Sequence, residues 1–189
     1  MVIEKVKMSW VMRNKNRSKF YVTGVSGTGK SALVKELQQR GLRAFDIDDI
    51  PDLCHWRNKI TGDKAKYQSG IGRDWIDAHN WICDRIKLAD LIKDDGVVVV
   101  AGVASNQDEY LSLFDKIFLL HCREDTFLYR LSTREGNEFA KEKSEQEQVL
   151  SWYKEFEEKI LKEGAIPIDT EESISSVADK IMSYTVKRK

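Results

Sequence analysis

Apolar residues fall in two patterns along this chain. Short continuous runs rich in Val, Ile and Phe recur between longer stretches whose apolar residues return every third or fourth position. The runs Phe20–Thr23, Leu42–Ile47, Val97–Ala101, Lys116–His121 and Ala165–Ile168 predict strands. The run Val97–Ala101, apolar at every position, predicts a central parallel strand covered on both faces. Helical spacing predicts helices over Ser31–Arg40, closed by Gly41, over a long span from Trp75 to Ile92 that stops near Gly96, and over Glu124–Arg134, Val149–Leu161 and Ile174–Tyr184. Five strands alternating with helices predict an α/β fold in three layers, with a five-stranded parallel sheet and right-handed crossovers. Residues 1–19 stand outside this rhythm as an N-terminal extension, and residues 20–189 read as one domain.

Composition narrows the class only a little. The 189 residues carry 31 Lys and Arg against 31 Asp and Glu, so the net charge is zero. That balance offers no argument for nucleic acid or an anionic membrane as the main partner. Cys54, Cys83 and Cys122 are scattered and form no C-x-x-C pair, so they read as small buried hydrophobes. No apolar run is long enough for a membrane span, and the first residues lack a signal-peptide core. The expected compartment is the cytoplasm.

The segment GVSGTGKS changes the picture. Gly24, Gly29, Lys30 and Ser31 satisfy G-x-x-x-x-G-K-[ST], after a predicted strand and before a predicted helix. Small residues let the backbone wrap an anion with its N–H groups pointing inward, and the helix that follows turns its positive end to the same anion. Gly24, Val25, Ser26, Gly27, Thr28 and Gly29 are therefore candidate phosphate contacts. Lys30 is placed to neutralise the β- and γ-phosphates, and the Ser31 hydroxyl to ligate Mg²⁺. The nearest string to a GTPase base-reading motif, Asn58–Thr61, has Thr61 where Asp is needed. The run ending in Ala101 and Gly102 lacks the carboxylate of a Walker-B strand. A small kinase is the branch that survives.

Asp46 and Asp48 lie two apart at the predicted mouth of the second strand, where alternation points both side chains the same way if the strand persists. A second use is open: Asp48 or Asp49 as the cap of a helix starting at Pro51.

The phosphate loop followed by a short helix and then FDIDD, Phe45–Asp49, resembles the gluconate and shikimate kinases of the nucleoside monophosphate kinase-like group. The resemblance spans about residues 20–185. It implies a P-loop NTPase fold with a small lid, here about residues 135–147, with Gly136 and Asn137 as its hinge. It also implies that Asp46 holds Mg²⁺ through water and that Asp48 meets the acceptor hydroxyl. Gly102, ending the central strand, falls on the substrate side, and residues 168–173 fall beside the adenine. Arg134 becomes the candidate phosphate contact of the lid. Arg130, one helical turn earlier, is a nucleotide contact or the ion-pair partner of Glu124 or Asp125. Arg57 and Arg73, in the basic stretch Trp56–Trp75, are candidate grips for an anionic acceptor, and Trp56, Tyr67 and Trp75 are either stacking residues or core. The run VASNQDEY after Gly102 departs from the glycines that shikimate kinases carry there.

The function expected is ATP- and Mg²⁺-dependent phosphoryl transfer to a small-molecule acceptor. The alternatives are a nucleoside or nucleoside monophosphate kinase, and a non-catalytic ATP-binding protein or regulatory ATPase.

Overall fold

The computed structural model describes residues 18–133 and 143–185. Among these described residues, eight strands and six α-helices follow one another in the order β1 (Ser18–Thr23), α1 (Lys30–Gln39), β2 (Arg43–Asp46), β3 (Cys54–Asn58), β4 (Lys64–Ala65), α2 (Arg73–Asp77), β5 (His79–Cys83), α3 (Arg85–Leu91), β6 (Val97–Ala101), β7 (Lys116–His121), α4 (Glu124–Thr133), α5 (Lys143–Lys162), β8 (Ile166–Asp169) and α6 (Ile174–Ser183), with two short 3₁₀ turns between β6 and β7. Five strands form a sheet in the order β2-β6-β1-β7-β8, and every pairing in it is parallel.

Alternation along β1 divides the core. Phe20 and Val22 face α1 and α6, where Leu33, Leu37, Val177 and Ile181 are buried. Tyr21 faces the other side with Val98, Val100 and Leu119, under α3 and the end of α5. A strand covered on both faces has no polar position to offer, which is why β6 reads Val-Val-Val-Val-Ala and is buried from Val98 on. Sheet order places β1 between β6 and β7, so the loop leaving β1 opens at the switch point, beyond the carboxyl ends of the strands.

The span Trp75–Ile92 is not one helix. It breaks into α2, β5 and α3. Asp84 ends any continuous helix: its carboxylate accepts the N–H groups of Ile86 and Lys87 and caps α3. The residues before it, His79–Cys83, pair antiparallel with β3, and β3 pairs with β4, giving a second, three-stranded sheet. The polar stretch Trp56–Trp75 thus carries strand as well as loop. Cys54 and Cys83, far apart in sequence, are direct cross-strand neighbours in this sheet.

Other boundaries shift. β1 begins at Ser18, two residues before the expected start of the domain. Helix α5 starts at Lys143, so residues 143–147 of the expected lid are helical, and Glu145 is buried where it accepts a hydrogen bond from the Tyr67 hydroxyl at 2.9 Å. The rest of that lid, with Arg134, Gly136 and Asn137, and most of the N-terminal extension lie outside the described residues.

Candidate functional site

The phosphate loop joins β1 to α1. A β-carbon on Gly24 would sit 2.5 Å from the Leu120 carbonyl oxygen, and one on Gly27 would sit 2.8 Å from that of Phe127. Both glycines have positive φ, 150° and 89°. The loop is therefore pressed against β7 and α4, which leaves room for glycine only at these two points. The Thr28 hydroxyl donates to the Val25 carbonyl at 2.9 Å and closes the turn. Lys30 is buried, and its ammonium donates to the carbonyls of Gly24, 2.6 Å, and Val25, 3.0 Å, which holds the cation inside the loop. The first turn of α1 contains no acidic residue of its own.

Ser31 and Asp46 meet: the Ser31 hydroxyl donates to Asp46 Oδ2 at 2.6 Å. The other carboxylate oxygen, Oδ1, accepts the Asp48 backbone N–H at 3.1 Å. The strand ends at Asp46, so alternation does not orient Asp48; a turn does, closed by the Asp49 N–H on the Asp46 carbonyl at 3.1 Å. No helix starts at Pro51 either. Residues 47–52 form turns, and the capping use of Asp48 or Asp49 falls away. Ser31 and Asp46 make a hard oxygen pair of the kind Mg²⁺ takes. Among the described residues no group of three or more His, Cys, Asp or Glu is placed to hold a metal. A cation at Ser31 and Asp46 would complete its shell with phosphate oxygens and water, as Mg²⁺ does beside a nucleotide.

Asp48 stands at the mouth of the site, open to solvent but crowded on its inner side. Desolvation and the neighbouring Asp46 raise its pKa, against the opposing pull of Lys30 and of the Trp81 indole N–H. Trp81 Nε1 donates to Asp48 Oδ1 at 3.0 Å. Trp81 is the residue that sequence reasoning missed, because the helix expected there assigned it no relation to Asp48. The capping carboxylate of Asp84 was the signal available.

Gly102 lies at the end of β6, where a β-carbon would overlap the Ile47 side chain. The run after it ties the small sheet to the large one. The Ser105 N–H donates to the Trp81 carbonyl at 2.8 Å. Asn106 holds both backbone groups of Cys83 at 2.9 and 3.0 Å. Gln107, buried, accepts from the Thr23 hydroxyl at 3.3 Å.

The arginines scatter. Arg130 makes no ion pair with Glu124 or Asp125; it donates to the Thr170 carbonyl at 2.8 Å and to its hydroxyl at 3.2 Å. This clamp closes one side of a hollow of about 220 Å³ beside the phosphate loop, lined also by Gly29, Ala32, Glu172 and Val177. Arg57 is exposed and donates to His55 at 3.3 Å. Trp56 packs on Trp81, so Arg57, its neighbour in the strand, points to the opposite face of the small sheet. Arg73 is exposed and paired with Asp77 at 3.3 Å. Neither is brought to Asp48. Trp56, Tyr67 and Trp75 pack on one another, with Trp56 and Trp75 ring centroids 5.3 Å apart.

Comparisons with known proteins agree with this fold. Residues 21–150 match the family model described as "AAA domain". No curated protein matches the chain. Among solved structures, a shikimate kinase from Acinetobacter baumannii in complex with shikimate is similar over 93% of this chain and 96% of its own, at 16% identity and a TM-score of 0.59. A deoxyadenosine kinase from M. mycoides with bound dATP covers 88% and 98% at 16% identity and TM-score 0.56. A gluconokinase from Sinorhizobium meliloti 1021 covers 91% and 93% at 16% identity and TM-score 0.52. The five-stranded parallel sheet flanked by helices is the P-loop NTPase fold in the form these kinases take.

Proposed function

We propose, on the premise that this chain belongs to the AAA domain family of P-loop proteins, that it is a small-molecule kinase moving the γ-phosphoryl group of ATP to a hydroxyl or phosphate acceptor with Mg²⁺. The observation that carries the reading is Asp48: a carboxylate beside Asp46 and within the field of Lys30, held by an indole N–H. A protein that only binds nucleotide has no use for a second carboxylate there. In this reading Gly24 to Gly29 wrap the phosphates through backbone N–H groups. Lys30 leaves the loop carbonyls for the phosphate oxygens. Ser31 and Asp46 hold Mg²⁺, which screens the phosphate charge. Asp48 orients the acceptor hydroxyl and takes its proton. The nucleotide base lies in the hollow between Gly29 and the Arg130–Thr170 clamp. The chain from β1 onward acts as one domain.

The acceptor classes are those of the similar folds: a sugar acid, a shikimate-like cyclic hydroxy acid or a deoxynucleoside. The experiment is a transfer assay with MgATP and a panel of shikimate, gluconate, deoxyadenosine and the common nucleotides, run on the protein and on Asp48→Asn. Transfer to one panel member, reduced on the order of a hundredfold or more in Asp48→Asn, supports the kinase. Slow ATP hydrolysis alone, equal in both proteins, makes it an ATP-binding protein or regulatory ATPase instead.

A further inference from the structure

Among the described residues the small antiparallel sheet gives Asp48 one hydrogen bond, from the Trp81 indole. Asp48 lies past the end of β2, so no strand pairing orients it. Its backbone is anchored by the N–H that Asp46 accepts, and its carboxylate accepts from Trp81 through Oδ1. Among the described residues no hydrogen bond reaches Oδ2. Trp81 is far better held. Its carbonyl accepts the Ser105 N–H at 2.8 Å. Its strand register sets it opposite Trp56, whose ring centroid lies 5.3 Å from its own. Trp56 is braced in turn by Trp75 at 5.3 Å and Tyr67 at 6.2 Å. The ring cannot turn without disturbing that cluster, and an indole N–H only donates.

We propose that Trp81 is the positioning residue for Asp48: it holds Oδ1 and leaves Oδ2 as the oxygen that meets the acceptor hydroxyl. The inference rests on the kinase reading. A short side chain in a turn samples several orientations, whereas one tied to a braced ring holds a single one, and phosphoryl transfer depends on placement more than on base strength. The small sheet and the run Ser105–Gln107 then have a shared role, which is to hold Trp81 against the carboxylate. Tryptophan N–H groups ordinarily find some partner when half-buried. A purely packing role therefore predicts a different result from a positioning role, and the two are separable by kinetics.

Trp81→Phe keeps an aromatic ring against Trp56 and removes the N–H. MgATP turnover is measured with shikimate, gluconate and deoxyadenosine, and as hydrolysis where none accepts. In Trp81→Phe, kcat is expected to fall about tenfold to a hundredfold, the effect of one hydrogen bond to a charged group, with the KM for ATP unchanged. In an Asp48→Ala background the same substitution is expected to add less than about twofold, because residues acting as a unit are not additive. Lowered turnover in Asp48→Ala together with full turnover in Trp81→Phe overturns the inference alone. An independent full-sized loss in the Asp48→Ala background also overturns it. Full turnover in Asp48→Ala overturns the kinase reading beneath it. Should Trp81→Phe not fold, the Trp81 indole ¹⁵N–¹H resonance of the otherwise native protein decides: it is expected to move upfield in Asp48→Ala, and a resonance that stays in place overturns the contact.

Discussion

Lys30 donates to two carbonyls of its own loop. That contact makes the loop's cation part of its architecture before any phosphate arrives. Lys30→Ala is expected to cut ATP turnover by about a hundredfold or more, since it removes the charge that stabilises the transferred group, while the protein still unfolds cooperatively. ATP consumption and a thermal melt check both halves, and unchanged turnover would sink the phosphate-loop assignment. Asp46 acts differently. Both its oxygens are engaged, one by Ser31 and one by the Asp48 N–H. Asp46→Asn keeps the shape but loses the charge, so the Mg²⁺ concentration giving half-maximal rate should rise along with the loss of rate. A titration with MgCl₂ at fixed ATP measures it; an unaltered Mg²⁺ dependence argues against Asp46 as a metal partner. Lys30 and Ser31 were legible because a wrapped phosphate demands fixed residue types at fixed spacing. The Asp48 to Trp81 contact, 33 residues apart, follows no such spacing.

At the scale of elements, the five parallel strands were legible and the small sheet was not. Continuous apolar runs such as Val97–Ala101 announce burial on both faces, and no helix would need that pattern over so few residues. The segment Trp75–Ile92 has helical spacing by composition alone. What splits it is Asp84, whose carboxylate caps α3, and the partner strand β3 that recruits His79–Cys83. The cap is open to a direct test. Asp84→Ala should lower stability by about 1 kcal/mol in urea titration. The backbone N–H of Lys87 and then of Ile86 hold the Asp84 carboxyl below its ordinary pKa. A depressed folded-state pKa contributes stability above the unfolded value, about 4, and loses it as pH falls through the folded one. The gap between Asp84→Ala and the unsubstituted protein should therefore close in acid, and a gap constant down to about pH 3 would refute the cap.

For the whole molecule, the site draws on distant parts of the chain. The phosphate loop, β2, the small sheet and the turn after β8 converge at the carboxyl ends of the strands, and Arg130 on Thr170 links α4 to that turn. A ligand touching all of them stabilises the fold as a unit. A non-hydrolysable ATP analogue with Mg²⁺, at about a hundred times its Kd, should add about 2.7 kcal/mol and raise Tm by roughly 5–10 °C. No shift at millimolar analogue would count against nucleotide binding. The amino-acid sequence by itself determined the strand and helix order of the large sheet, the phosphate loop and the carboxylate pair beside it. Each of these rests on a local requirement: apolar period, glycine at a tight turn, or a charge next to a strand end. Tertiary structure alone decided which carboxylate is tied to Trp81, that Arg130 turns to Thr170, that Arg57 faces away, and that Cys54 meets Cys83. Those outcomes depend on which strand pairs with which and on which face it presents, and residues dozens of positions apart carry no local trace of that choice.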